Sequence, residues 1–234
     1  SGVTFSIVDN SENQGGTVAV SKSAINSLVC TPSNSEGAVI NIGEGVTLNG
    51  CALLTGTNPT LNVYGTINTT GSSDAGIYNN GSSTDNSTIN LYDGAVIKAN
   101  ILGVYHPGPG TLNVYGGAEI TAGDVGIEMR AGTLNVYDGA VITSTGTGEP
   151  SSASNGSGAT SHNAAVAIAQ HATKLPVVFN AYGGTFTGSA AVYESNPEGN
   201  SDDVTEQIAI NIENGMFDGE VKSATQEGFI SGGI

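Results

Sequence analysis

TLNVYDGAVIT, residues Thr133–Thr143, is nearly a copy of TLNVYGGAEIT at Thr111–Thr121 and of TINLYDGAVIK at Thr88–Lys98. A catalytic site is written once in a chain; a phrase written many times describes a unit that stacks on itself. Aligned on its Asn, the phrase recurs at Asn41, Asn62, Asn90, Asn113, Asn135, Asn180 and Asn211, at intervals of 21, 28, 23, 22, 45 and 31 residues. A base period near 22 residues marks a solenoid. The 45-residue interval reads either as two turns or as one turn carrying a long insertion.

Each copy has the same internal grammar. A first strand alternates with period 2, Leu134 and Val136 inward against Thr133, Asn135 and Tyr137 outward. A Gly-containing turn follows (YDG at Tyr92 and Tyr137, YGG at Tyr115 and Tyr182, ENG at Glu213). A second short strand carries one large apolar residue, Leu48, Ile97, Ile120, Ile142, Phe186 or Phe217. A third reads AGIY at Ala75, LGVY at Leu102, VGIE at Val125 and AAVY at Ala190. Three short strands per turn with no helical spacing predict an all-β, single-stranded parallel β-helix. Rungs stack about 4.8 Å apart, so like residues meet in ladders, and nine or ten rungs would give a rod on the order of 45 Å. A β-sandwich is the alternative, but it would not reproduce one phrase at one register.

Composition agrees. The chain has 234 residues, 35 of them Gly, no Trp and 38% hydrophobic residues, which suits a narrow interior of Val, Ile, Leu and Ala. Its net charge of −16, from 21 acidic against five basic residues, argues against nucleic-acid binding, which needs clustered Lys and Arg. Anionic membrane surfaces are disfavoured for the same reason, and no apolar run is long enough to insert in a bilayer. One domain over residues 1–234 is expected, with residues 1–25 as an N-terminal cap. Residues 144–163, STGTGEPSSASNGSGATSHN, read as a solvated loop thrown out from one rung, and the closing GFISGGI restarts the phrase and breaks off inside it.

The phrase L-N-V-Y-[DG]-G-A-x-I, together with SGGI and YGGTF, resembles the right-handed parallel β-helix, or pectin-lyase-like, repeats of bacterial extracellular and cell-surface proteins. The resemblance covers nearly the whole chain. It implies right-handed coiling and an extracellular or cell-surface location, and it spans lyases, hydrolases, adhesins and passive stalks. Lyases of this kind use clustered acidic Ca²⁺ ligands and a basic residue that takes the α-proton; glycosidases use paired carboxylates. Here Asp202 and Asp203 stand in a loop without accompanying motifs, Arg130 stands alone, and His162 and His171 lie in or beside the Ser/Gly-rich segment.

The remaining candidates follow from phase. Cys30 and Cys51 each lie 11 residues before an Asn of the phrase, which predicts stacking in neighbouring rungs and a candidate disulfide, with two reduced interior thiols as the alternative. The eight tyrosines fall in two outward columns: Tyr64, Tyr92, Tyr115, Tyr137 and Tyr182 after the first strand, and Tyr78, Tyr105 and Tyr193 in the third. The first column is expected to be a structural ladder; the second could offer sugars an aromatic platform. Around the second stand Asp74, His106, Asp124, Glu128 and Arg130. The candidate ligand-binding set is therefore Tyr78, Tyr105, His106, Glu128 and Arg130, against a solvated face with one ion pair. No cofactor is implied, and Ca²⁺ is the one ion that the turn carboxylates Asp93, Asp138, Asp202 and Asp203 suit, although acid for solubility explains them more cheaply. Ice binding by Thr-x-Asn-x-Tyr is disfavoured because Tyr spoils a flat lattice. The expectation is a non-catalytic adhesin or glycan-binding module whose partner is a polysaccharide or a host-surface glycan. The alternatives are a polysaccharide lyase or hydrolase, and a passive stalk.

Overall fold

Period-2 alternation is obeyed in every copy of the phrase. Leu134 and Val136 are fully buried while Thr133 and Asn135 are half-exposed, and the same holds one turn earlier for Leu112 and Val114. A computed structural model describes residues 2–9, 17–19, 27–71, 75–79, 86–154 and 159–234. It is a parallel β-helix. Eight first strands form one parallel sheet: Thr4–Ile7, Val39–Ile42, Thr60–Val63, Ser87–Leu91, Gly110–Val114, Gly132–Val136, Val177–Ala181 and Ile208–Ile212. The seven Asn residues stand in one unbroken register, Asn41 to Asn62, Asn90, Asn113, Asn135, Asn180 and Asn211.

Asn135 pairs directly with Asn180, so the 45-residue interval is one turn with an insertion. That corrects the expected count of nine or ten rungs. Eight first strands at about 4.8 Å spacing give a stack of about 34 Å. The second and third strands make a separate 14-stranded sheet of two halves, joined where Thr185–Ser195 runs through both positions without a break.

The interior is built of ladders. Leu48, Ile67, Ile97, Ile120, Ile142 and Phe186 stack from the second strands, and Ile77, Val104, Ile127, Val166 and Val192 from the third. Burying one such side chain fully is worth about 1.5–3 kcal/mol. Three rungs admit no side chain where the third strand begins: a Cβ on Gly76, Gly103 or Gly126 would lie 2.6–2.7 Å from a methyl of Ile97, Ile120 or Ile142. The YDG and YGG turns need their last Gly for a different reason, since Gly94, Gly117 and Gly139 have φ of +82°, +84° and +82°.

The N-terminal end departs from expectation. Thr4–Ile7 and Thr17–Ala19, inside the expected cap, join the two sheets as the first rung, and Ser6 takes the Asn position, accepting from Asn41 Nδ2 at 2.9 Å. At the other end Ile230 bridges Ile212, so GFISGGI follows the rung before it, as its wording anticipates. One helical turn, Asp202–Thr205, interrupts the β structure in a connection between rungs.

Candidate functional site

The third strands carry the predicted cluster, and their register brings it together. Leu53, Tyr78, Tyr105, Glu128, Ala167, Tyr193 and Lys222 form one outward column. Yet this outer face is not open. Tyr105 is 9% exposed and Glu128, Arg130 and His106 are 0% exposed, while Leu102, Val125, Ala164, Ala167 and Ala190 make a second, smaller apolar core around the tyrosines. Over Glu128 and Arg130 the cover is the segment expected to project into solvent. Ser151–Ser152 and Ser161–His162 pair as a short antiparallel hairpin, and residues 160–163 lie along the third-strand face.

Every charged residue of the Asp124–Arg130 stretch fastens that cover. Asp124 accepts from Asn163 N at 2.7 Å and pairs with His162 Nδ1 at 2.7 Å. Glu128 accepts from the amides of Thr160 and Ser161, all at 3.2 Å. Arg130 donates Nε–H to Ala169 O at 3.2 Å and pairs through its terminal nitrogen with Glu198 at 2.5 Å; Ser154 donates to the other oxygen of Glu198. Burial raises the Glu128 pKa even though the two amides and Arg130 favour its charged form. Of the predicted ligand-binding set, Glu128 and Arg130 are thus bound to the insertion, with Glu198 as a further partner of Arg130. Asp74, predicted beside this cluster, lies outside the described residues.

His106 differs from its neighbours by pointing inward, in the column of Met129 and Ile168. Its Nδ1 lies 3.0 Å from Ala131 O, and burial lowers its pKa to about 4, so it sits neutral in the core. The cysteines are not stacked. A register shift after Ser27 sets Cys30 against Leu53 and Cys51 against Ser27, and the two are not joined in a disulfide, with Cys51 buried and Cys30 exposed. Among the described residues no group of three or more His, Cys, Asp and Glu side chains could hold a metal ion, and no helix is long and apolar enough to cross a membrane.

The first-strand face is regular and open. Tyr64, Tyr92, Tyr115, Tyr137 and Tyr182 stack with centroids 4.6–5.4 Å apart. Burial against one another, then the neighbouring phenols, raises the pKa of Tyr92 and Tyr137. Beside them Asn side chains form a one-way chain, each Nδ2 donating to the Oδ1 of the preceding rung at 2.8–2.9 Å. Sugar rings stack on aromatic faces, and within this column the faces are taken by neighbouring rings, so Tyr92, Tyr115 and Tyr137 present only edges.

A different surface has the shape of a binding site. Where the second strands turn toward the third, two depressions of about 340 and 310 Å³ share Thr70 and run along the rod. Asn49, Asn68, Lys98, Asn100, Thr121 and Thr145 supply their polar groups. The groove crosses five rungs, about 19 Å at the inter-strand spacing. Sequence reading missed it because its residues occupy the variable end of the phrase (TINTT, VIKAN, EITAG, VITST), where only the amide and hydroxyl chemistry repeats. It also missed Glu198, which stands 68 residues from Arg130 in sequence.

Geometry places the chain in the class of parallel β-helix solenoids. Comparison with protein-family models, with curated proteins and with solved structures finds no match.

Proposed function

We propose that this chain is a non-catalytic β-helix module of the pectin-lyase-like kind, displayed outside a bacterial cell, and that it binds an extended glycan along the groove from Asn49 to Thr145. The observation that carries the reading is the groove itself: shallow, elongated and lined with amides and hydroxyls, a match for the hydroxyl-rich edge of a polysaccharide. The site the charges suggested is filled by the protein's own insertion and leaves its carboxylates and guanidinium engaged. The net charge of −16 further disfavours nucleic acid as partner.

The test is a panel of plant, mucin and bacterial polysaccharides with and without Ca²⁺, scored for binding and for cleavage together. Binding without cleavage, weakened by Asn68→Ala with Asn100→Ala but not by Tyr115→Ala, is the expected result. Cleavage would replace this reading with a lyase or hydrolase. No binding anywhere would leave a passive stalk, the role that the self-satisfied Tyr and Asn ladders also suit.

A further inference from the structure

The groove contains one charge. Of the chain's five basic residues Lys22 lies outside the described residues, Arg130 is bound to Glu198, Lys222 sits 4.0 Å from Glu220, and Lys174 stands in the turn after His171, away from the groove. Lys98 makes no ion pair among the described residues, is exposed, and stands in the middle of the groove. Its own column is neutral on both sides: Asn49 and Asn68 before it, Thr121, Thr143 and Thr187 after it, with the first acid at Asp218. Glu119 is its diagonal neighbour, on the outward column of Val96. In a molecule with 21 acidic residues, an unpaired ammonium flanked by amides and hydroxyls is a point of local attraction for an anion.

We infer, resting on the groove reading, that the preferred ligand is a largely neutral glycan carrying an isolated carboxylate in register with Lys98. A chain acidic at every sugar would set one carboxylate on Lys98 and the rest against neutral walls in the field of a strongly acidic protein, whereas a neutral chain leaves Lys98 unused. An ammonium on a flexible stem meets a single carboxylate as a point charge and needs no fixed bidentate geometry. Because the pair is solvent-exposed, the gain is modest, about fivefold in affinity, and it weakens with salt.

Calorimetric titration compares three oligosaccharides of equal length, one neutral, one with a single uronate residue and one uronate throughout, against the wild type, Lys98→Gln and Lys98→Arg. Thermal unfolding confirms that both variants are folded. The expected result is tightest binding of the singly acidic oligomer, loss of that preference in Lys98→Gln with neutral-oligomer affinity unchanged, and its retention in Lys98→Arg. Equal affinity for the neutral and singly acidic oligomers, a preference that survives Lys98→Gln, or tightest binding of the all-uronate chain would overturn the inference and leave the groove reading intact. Failure of all three to bind would overturn both.

Discussion

The first-strand and third-strand faces of this solenoid come from the same repeat, yet only one of them repeats in structure. On the first-strand face seven of the eight rungs offer Asn, and five offer stacked Tyr, so one rung's environment is nearly the next one's. On the third-strand face, Tyr78, Tyr105, Glu128, Ala167 and Tyr193 follow one another in a single column, and Glu128 among them meets the insertion through the amides of Thr160 and Ser161. Repetition of a residue records stacking against a copy of itself. Departure from the repeat records a contact with something that occurs once, and in this protein that contact is internal. An irregular charged patch on a solenoid is therefore not by itself a ligand site.

Breaking the irregular side should cost most. Arg130→Ala leaves Glu198 and Glu128 without their buried cation, and an expected loss of about 4 kcal/mol in urea unfolding follows from breaking a buried pair. A loss under about 1 kcal/mol would mean that the strip is open to water. On the regular side, Leu112→Ala and Leu134→Ala should each cost about 3 kcal/mol, and nearly the same as each other, because the two side chains occupy equivalent, fully buried positions in successive rungs. Clearly unequal losses would break the equivalence of rungs.

His106 sharpens the comparison through pH. Its folded pKa of about 4 lies below the unfolded 6.5, so the unfolded chain takes up the proton first. The stability this contributes is complete above pH 6.5, falls as pH drops, and is gone below about 4. Between about pH 7.5 and 4.5 the wild type should lose about 2.5 kcal/mol more than His106→Leu in urea unfolding; parallel pH profiles for the two would contradict a buried neutral imidazole. The smallest effect belongs to the Asn chain. Asn113→Ala removes two half-exposed hydrogen bonds and should cost about 1 kcal/mol.

Much of this was legible in the sequence. Asn spacing gave the solenoid period and the register of the first strands, and the three-strand grammar of each copy gave the class of fold and the phase that sets Tyr105 beside Glu128, because ladders depend on sequence offset. The rest depends on contacts that offset does not encode. Nothing in the spacing of Asn135 and Asn180 distinguishes two turns from one turn with an insertion, and the Ser/Gly-rich composition of 144–163 hides that its backbone amides would satisfy Glu128. Ser6 escaped notice because a hydroxyl replaces the amide in the ladder. Cys30 and Cys51 have matching offsets, but a bulge after Ser27 separates them. The groove was missed for a different reason: its side chains are ordinary surface residues until the rungs align them.

Tyrosine accessibility reads the difference between the two faces most directly. Hydroxyl-radical footprinting with mass spectrometry compares Tyr105, 9% exposed in the third-strand column, with Tyr182, 41% exposed at the end of the ladder. Strong modification of Tyr182 with protection of Tyr105 is the expected result. Equal modification of the two would mean that the third-strand face is open, and would return Tyr78, Tyr105, Glu128 and Arg130 to candidacy as a ligand site.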